Sequence, residues 1–476
     1  MWDGSDSARI LPGGTRPDDV ATLLDAIHAE FTPAAGMPRP GRVIVPVAPD
    51  SDIDEVRQAL ARRVTGPVSP AVSVILQTSG STTGRGHLVG LSRLSLTAGA
   101  LATEAALRGP GRWILALPAH HVAGFQILVR AVTAGIAPIV VDTTAGFSVE
   151  ALARAARRAR RGSEPAYTSI VPTQLSRILQ ASPEAIADLA ALDAILVGGQ
   201  ACDADLLARG RRAGLRLVTT YGMTETGGGC VYDGVPLRGT KVATVNTRIW
   251  ISGTTLMEGY LDDPDAAALV ASGGRRWLRT TDCGRMVGAK LEVTGRADAV
   301  INTGGVKVNP GLVEDCLRTL PAVEDVCVVA LPHSEWGQVV TAVFVPSADA
   351  EPAEIAAMRR RSGRACTDEA ASSPELKDAM AAMSAAIRGT ATEAGTAAGE
   401  DPTASGEDEA MSEEERDRDI AVRMRAHVAA ELGRAQAPRI VCMVDALPLM
   451  GIGKVDRRRV QALAQAEVRA NRAWVR

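Results

Sequence analysis

The stretch VSVILQTSGSTTGRGH, residues 72–87, gives the strongest indication of the fold. Its first six residues are mostly apolar and too uniform for a half-exposed strand, so they predict a strand buried on both faces of a sheet. The small polar residues that follow at once allow a tight turn, and their amides and hydroxyls can surround phosphate oxygens. The stretch therefore predicts a phosphate loop after a strand, although an ordinary flexible loop would look the same. The predicted phosphate loop comprises Thr78, Ser79, Gly80, Ser81 and Thr82.

Two well-known types of active-site loop do not match this stretch. The chain contains no GxxxxGK[ST] string, so the loop is not of the Walker type. Neither Ser79 nor Ser81 lies in a GxSxG string, so an esterase nucleophile is not indicated.

Further uniform apolar runs alternate with helical stretches along the first part of the chain. The runs begin at Arg42, Val72, Trp113, Pro138, Thr168, Ala194 and Arg216. Residues 149–161 and 203–214 have helical spacing. Alternation of this kind predicts an α/β fold, with a large N-terminal domain that contains doubly wound, mainly parallel sheets.

After about residue 295 the sequence changes to strand candidates at 326, 339 and 439, which predict a small α+β C-terminal domain. Residues 349–419 are rich in Ala, Ser, Thr and Glu, and their acidic run predicts a solvated low-complexity insertion of unassigned role. Without this insertion two domains account for the length, and we place them at 1–297 and 298–476.

Composition excludes several classes of protein. Hydrophobic residues make up 46% and charged residues 22% of 476 residues, as in soluble globular proteins. A net charge of −3 and 3% aromatic residues give no indication of a nucleic-acid partner. The most apolar tract, 113–141, is interrupted by polar residues and prolines, so no membrane span is expected. Seven scattered cysteines without a metal-binding spacing suggest reduced thiols, and we expect a cytoplasmic protein, with a homo-oligomer left open.

Two later motifs also combine strands with functional side chains. In VTTYGMTETGGG, residues 218–229, Tyr221 can pack on a base, Thr224 can donate to phosphate and Glu225 offers a hard oxygen to Mg²⁺. In RTTDCGRM, Asp282 is suited to accept the two hydroxyls of a ribose. A capping Thr and Glu pair and a turn-forming Asp are the simpler alternatives.

Two more motifs lie in the second part of the chain. TGRADAVINTGGVKVNP, residues 294–310, contains Arg296, which can pair with phosphate, and Gly304 and Gly305, which permit close approach of the backbone. PLMGIGKVDRR, residues 448–458, places Lys454 on a glycine-flanked turn. A surface lysine is usually only solvated.

Taken in order, these motifs resemble the superfamily of adenylate-forming enzymes over about residues 72–459. The resemblance implies a large domain that holds the acid and ATP, and a small mobile domain that rotates about a hinge at Asp298. The strings ALPAHHVAGFQILVRA, LVGGQACDADLL and YGMTETGGGCVYDGVPL, which begin at residues 116, 196 and 221, resemble the 2-succinylbenzoate-CoA ligase family of menaquinone biosynthesis. That family would use ATP, Mg²⁺ and coenzyme A with a small-molecule acid.

The resemblance also implies a role for each matching residue. Catalysis would involve Lys454, Glu225, Thr224 and Arg296, with Glu225 as the metal ligand. The residues at ATP or AMP would be Thr78, Ser79, Gly80, Ser81, Thr82, Gly198, Gly199, Gln200, Thr220, Tyr221, Gly222, Met223 and Asp282. The residues at the acid or CoA would be His121, Gln126, Gly228, Val231, Gly304 and Gly305, with Arg238 and Lys241 as further cations. His121 could equally be a core histidine.

One departure affects the phosphate loop. The family pattern TSGSTGxPK becomes TSGSTTGRGHLV here, with Gly86 at the usual proline and His87 at the usual basic position. Arg85 or a protonated His87 would then replace the lysine, which puts the ATP affinity in question. Another aryl or acyl acid as substrate, and a non-catalytic nucleotide sensor, are the alternative functions.

Overall fold

The computed structural model describes residues 8–32, 42–64, 66–78, 86–263, 268–297, 300–347, 420–450, 455–470 and 472–475. The described residues up to Val293, together with Met450, form one compact unit. Those from Thr294 onward form a second unit. The sequence pattern had indicated a boundary at 297/298, and the predicted insertion at 349–419 lies outside the described residues.

The first unit contains eight described helices and, with β17 reaching into the second unit, seventeen described strands. The helices are α1 (Pro17–Phe31), α2 (Ile53–Arg63), α3 (Arg93–Ala106), α4 (Val122–Ala134), α5 (Val149–Ala159), α6 (Pro172–Leu179), α7 (Pro183–Ala190) and α8 (Ala204–Arg212). The strands are β1 (Ala8–Pro12), β2 (Val43–Val47), β3 (Val72–Gln77), β4 (Leu88–Ser92), β5 (Arg112–Leu115), β6 (Ile139–Val140), β7 (Ala166–Ile170), β8 (Ala194–Val197), β9 (Leu217–Met223), β10 (Gly228–Tyr232), β11 (Val235–Pro236), β12 (Thr240–Val245), β13 (Arg248–Gly253), β14 (Gly259–Tyr260), β15 (Leu269–Ser272), β16 (Arg275–Val287) and β17 (Lys290–Arg296).

The central sheet has the order β11-β10-β9-β8-β7-β5-β6, and its strands from β5 to β9 are parallel. Successive residues of β5 enter different cores: Trp113 and Leu115 pack with α3 and α4, whereas Ile114 packs with α5 to α8. Helices therefore cover both faces, which explains the uniform apolar runs and confirms the doubly wound α/β prediction.

Two further sheets complete the first unit. One has the order β1-β2-β3-β4-β14, parallel as far as β3 and antiparallel beyond it. The other is antiparallel and joins β12, β13, β16 and β15, with β17 paired to β16. The residue pattern alone had not distinguished this antiparallel sheet from the parallel ones.

Local capping fixes where the predicted helices begin. Ser148 precedes α5 and its side chain accepts from the Ala151 amide, and Asp203 accepts likewise from Leu206 at the start of α8. In the chain α5 follows β6 and α8 follows β8, so the two caps mark where the chain enters a helix after a strand of the central sheet.

The second unit is an α+β structure, as predicted. Its sheet has the order β19-β18-β21-β22-β23, with β20 paired to β21. One face of the β20–β21 hairpin packs on α9 and α10, and the other packs on α11. The elements are β18 (Ile301–Thr303), β19 (Val306–Val308), α9 (Pro310–Arg318), β20 (Val323–His333), β21 (Gly337–Pro346), α10 (Ile420–Glu431), β22 (Ile440–Met443), α11 (Arg457–Arg469) and β23 (Ala473–Val475).

None of the helices in the described ranges is long and apolar enough to cross a membrane.

Candidate active site

The carboxyl end of β9 forms the centre of the candidate site. A short 3-10 turn, Thr224–Thr226, follows β9 and ends at Gly227, whose φ is +60°. The Thr226 hydroxyl accepts from the Met223 amide at 2.9 Å and donates to the Gly228 carbonyl at 2.7 Å. This buried hydroxyl fixes the turn and leaves Thr224 and Glu225 partly exposed at the sheet edge where ligands bind in this class of fold.

Close backbone contacts account for two of the predicted glycines. A Cβ on Gly222 would lie 2.1 Å from the Gly228 carbonyl oxygen, and one on Gly198 would lie 2.2 Å from the Thr220 hydroxyl. Any side chain at either position would clash, so β8, β9 and β10 approach this closely only with glycine. The 198–200 turn is thereby brought beside Thr220 on β9.

Tyr221 and Asp282 meet across 61 positions of sequence. The Tyr221 hydroxyl donates to Asp282 Oδ2 at 2.9 Å. Burial raises the pKa of the Tyr221 phenol above its ordinary range, and the negative charge of Asp282 raises it further. The phenol therefore stays protonated and holds the Asp282 carboxylate at the edge of the site.

Glu225 has a partner that the sequence motifs did not indicate. The Tyr260 hydroxyl donates to Glu225 Oε1 at 2.7 Å. The Tyr260 ring also stacks on His87, with centroids 4.5 Å apart and an interplanar angle of 28°. The only signal in the sequence was that Tyr260 is one of just four tyrosines in the chain.

The predicted phosphate loop is described only at its two ends. The Thr78 amide donates to the His87 carbonyl, and the His87 amide donates to the Thr78 hydroxyl, each at 2.9 Å. A Cβ on Gly86 would lie 1.7 Å from the Thr78 carbonyl oxygen, so this closure requires glycine. The close approach gives a physical reason for Gly86 at the family's usual proline position. Ser79, Gly80, Ser81, Thr82 and Arg85 lie outside the described residues.

Asp262 forms a hydrogen bond with Leu88, the residue that follows His87. Its carboxylate accepts from the Leu88 amide at 2.9 Å and from Arg63 Nη2 at 2.6 Å. His87 Nδ1 lies 3.5 Å from the same carboxylate. Burial alone would raise the pKa of Asp262, but hydrogen bonds from Arg63 and Leu88 together with the Arg63 charge lower it overall.

His121, which is predicted near the acid, and its neighbour His120 differ in their contacts. His120 Nδ1 lies 2.9 Å from the Gly13 carbonyl, which gives this ring a structural partner. His121 is the N-cap residue of α4, and burial, with a smaller contribution from His120, lowers its pKa to about 4. His121 is therefore neutral at pH 7 and supplies no positive charge for a carboxylate.

Gln126 and Gly228 are brought together. Gln126 is 2% exposed, and its Nε2 donates to the Leu96 carbonyl at 3.2 Å, while its buried Oε1 has no hydrogen-bond partner among the described residues. A Cβ on Gly228 would lie 3.6 Å from Gln126 Cγ. Val231 is buried in the core of the first unit, whereas Arg238 and Lys241 are exposed.

The remaining predicted residues belong to the second unit or lie outside the described ranges. Arg296 is the last residue of β17, and Gly304 and Gly305, with φ of +55° and +84°, form the turn between β18 and β19. A Cβ on Gly304 would lie 2.4 Å from the ring of Trp336, so this turn also requires glycine. Asp298 and Lys454 are not among the described residues.

Comparison with known proteins supplies independent information. The AMP-binding enzyme family model matches residues 57–261, and the AMP-binding enzyme C-terminal domain model matches residues 312–377. A probable 2-succinylbenzoate-CoA ligase of Mycobacterium tuberculosis is 40% identical over 451 residues, which are 94% of this chain and 95% of the relative. The 2-succinylbenzoate-CoA ligase of Escherichia coli is 32% identical over 49% of each chain.

Solved structures show the same fold. The o-succinylbenzoate CoA synthetase (MenE) of Bacillus subtilis, solved with the acyl-adenylate intermediate OSB-AMP, aligns with a TM-score of 0.57. The alignment covers 86% of this chain and 74% of that one at 20% identity. The fold, the two matching domain models and the nearly full-length relative together establish that the chain belongs to the AMP-binding enzyme family.

Proposed function

We propose that this enzyme ligates 2-succinylbenzoate to coenzyme A through an acyl-adenylate, with release of AMP and pyrophosphate, as a step of menaquinone biosynthesis. The observation that carries the proposal is the 40% identity to a probable 2-succinylbenzoate-CoA ligase over 94% of this chain. Such coverage includes the phosphate loop and large parts of both domains.

In the first half-reaction a carboxylate oxygen of the acid attacks the α-phosphorus of ATP, and pyrophosphate leaves. Two anions must meet, so the enzyme has to position them and offset their charge. We assign the ribose to Asp282, oriented by Tyr221, and to Arg296. The adenine lies by the 198–200 turn, and Thr224 and the loop that begins at Thr78 donate to phosphate. Lys454 bridges the carboxylate and the α-phosphate in this assignment.

Glu225 is the residue that we assign to Mg²⁺. Mg²⁺ is commonly bound through one or two carboxylates together with substrate phosphates, so a single glutamate is sufficient. Among the described residues only the Tyr260 phenol donates to this carboxylate, and it does so at Oε1, so Oε2 remains as a hard oxygen donor. When bound, the ion would offset charge on the ATP phosphates.

In the second half-reaction the CoA sulfur attacks the acyl carbon, the bond from that carbon to AMP breaks and the thiol proton is released. We assign the approach of CoA to the exposed turn at Gly304 and Gly305, where the absence of a Cβ permits a ligand to come close to the backbone. Rotation about Asp298 would exchange the residues needed for the two half-reactions.

The acid is assigned to the surroundings of His121, Gln126, Gly228 and Val231. A second candidate substrate class is another aryl or acyl acid with one carboxylate. It is favoured because none of these four residues supplies a positive charge for a second carboxylate. His121 is neutral at pH 7, and Arg238 and Lys241 are exposed. For a dicarboxylate, the amides of the turn after Glu225 would have to receive the second carboxylate.

Pyrophosphate release distinguishes these possibilities. The enzyme is supplied with MgATP and, in parallel, with 2-succinylbenzoate, benzoate or octanoate, and pyrophosphate is measured. We expect release with 2-succinylbenzoate and little with the other two acids. Release with benzoate or octanoate instead would favour the second substrate class. ATP binding without release for any acid would contradict the proposed ligase activity and favour a nucleotide sensor.

A further inference from the structure

The segment 257–262 connects Glu225 with the exit of the phosphate loop. At its start the Met257 amide donates to the Glu225 carbonyl at 2.8 Å. Further along, the Leu261 amide donates to the Leu88 carbonyl at 2.8 Å, and β14 pairs with β4. The backbone of one short segment is thus bonded both to Glu225 and to the strand that leaves the phosphate loop.

The Tyr260 side chain likewise connects the side chains of Glu225 and His87. Its hydroxyl donates to Glu225 Oε1 at 2.7 Å, while its ring stacks on His87. A short hydrogen bond to a carboxylate is a strong one, and a stacked aromatic neighbour limits rotation of the phenol. Tyr260 therefore restricts the orientation of a glutamate that would otherwise have three free torsions.

The stacked partner is itself held in place. The His87 amide donates to the Thr78 hydroxyl, and the His87 ring lies 3.5 Å from the Asp262 carboxylate. Asp262 is in turn bonded to Arg63 and to the Leu88 amide. Because Arg63 and Asp262 side chains are only 11% and 13% exposed, this ion pair is better shielded from water than a surface pair.

We propose that Tyr260 is a positioning residue for Glu225, held by His87, and that it orients the glutamate for Mg²⁺ bound with ATP. The inference rests on the proposed assignment of Glu225 to Mg²⁺. Outer partners that orient metal-binding side chains commonly change metal affinity by about 10- to 100-fold when they are removed. Loss of the phenol should therefore raise the Mg²⁺ requirement for ATP binding.

The test measures ATP binding by calorimetry at a series of Mg²⁺ concentrations, with no acid present. Tyr260→Phe keeps the stacked ring and removes only the hydroxyl. We expect the Mg²⁺ concentration for half-maximal ATP affinity to rise about tenfold, at the low end of that range because Glu225 itself remains. Tyr167→Phe is the matched control, because its hydroxyl contacts Arg108 and Gly109 instead. It should keep the wild-type Mg²⁺ dependence.

A double variant separates positioning from general stability. In Glu225→Gln, where the metal-binding charge is gone, adding Tyr260→Phe should cause no further change in Mg²⁺ dependence. The proposal would be overturned if the two substitutions changed the Mg²⁺ requirement independently, so that their effects multiplied in the double variant. It would also be overturned if ATP binding to Tyr260→Phe weakened equally with and without Mg²⁺. If Tyr260→Phe fails to fold, His87→Ala, which removes the stacked ring, must raise the Mg²⁺ requirement for ATP binding, and an unchanged Mg²⁺ dependence would overturn the proposal. Because no acid is used, failure of the proposed ligase activity is detected separately, by pyrophosphate release.

Discussion

Glu225 in the first unit and Glu314 in the second unit are surrounded very differently. Glu314 is 5% exposed and accepts from the Val328 amide at 2.7 Å and from Arg457 Nη2 at 2.8 Å. Glu225 is only partly buried and, within the described residues, has a single phenol donor on one oxygen. A carboxylate satisfied on both oxygens by protein groups stabilises the fold, whereas one held on a single side can still bind a ligand.

The electrostatics of Glu314 support this distinction. Burial raises the pKa of the Glu314 carboxyl, and the charge of Arg457 and the Val328 amide lower it only in part. Its pairing therefore offsets a large desolvation cost, as expected for a structural group. The comparison predicts a loss of activity at Glu225 and a loss of stability at Glu314.

The largest effect is expected for Glu225→Gln. This change removes a preorganised charge without changing the size of the side chain, so the rate of adenylate formation should fall by about 10²–10³-fold. The melting temperature should stay close to that of the wild type. The matched control is Glu258→Gln on the same segment, whose carboxylate lies 3.8 Å from Arg276. A large loss of stability in Glu225→Gln would show that Glu225, like Glu314, has a structural role.

Glu314→Ala should cost on the order of 3 kcal/mol of unfolding free energy, near the lower end for a broken buried ion pair. The lower end applies because the Arg457 side chain keeps 39% exposure and can be partly hydrated. Denaturant unfolding of this variant would be compared with Glu335→Ala, an exposed glutamate of the same unit. A fully stable Glu314→Ala would show that the pair does not hold α9 and α11 against β20.

The two glutamates also show how much the sequence could reveal. Strands such as β5 and β8 were predictable because helices cover both faces of their sheet and their side chains are mostly apolar. Glu225 was identifiable because it closely follows a strand candidate in a glycine-rich motif. Glu314 was not, because its structural role depends on Arg457, 143 positions away, and no local pattern encodes that pairing.

The same limit applied inside the site. Gly86 could be seen as a departure from the family pattern, but its reason, the close approach to the Thr78 carbonyl, depends on how β3 and β4 close the loop. Tyr260 was missed because its contacts with Glu225 and His87 join three separate stretches of sequence. Residues that position others through long-range contacts leave only weak signals such as the scarcity of tyrosine.

His121 extends the comparison to a largely desolvated group for which the described residues supply no counter-charge. Its pKa is lowered to about 4 in the folded protein, against about 6.5 in an unfolded chain. The unfolded state therefore binds more protons between these values, so stability is fully present above pH 6.5 and falls as the pH drops toward 4. The full difference is on the order of 3 kcal/mol, of which only part is lost by pH 5.5.

Melting temperatures at pH 7.5 and 5.5 measure this effect. We expect the wild type to lose more stability over that interval than His121→Gln, in which the titrating group is absent. His28→Gln, at an exposed histidine of α1, serves as the control and should behave like the wild type. Equal losses in the wild type and His121→Gln would show that His121 is hydrated enough to titrate normally.

The smallest effect is expected at the second phenol and carboxylate pair, Tyr221 with Asp282. Tyr221→Phe removes the 2.9 Å hydrogen bond that holds Asp282, a loss of about 1.5 kcal/mol, which corresponds to roughly tenfold weaker AMP binding. Since Asp282 is assigned to ribose and not to Mg²⁺, the Mg²⁺ dependence of ATP binding should stay unchanged. Calorimetry with AMP alone, and then with ATP at several Mg²⁺ concentrations, measures both quantities. If Tyr221→Phe shifts the Mg²⁺ requirement as much as Tyr260→Phe does, the two tyrosine and carboxylate pairs act on the same ligand. The hydrogen bond from Tyr260 to Glu225 would then have no specific effect on Mg²⁺.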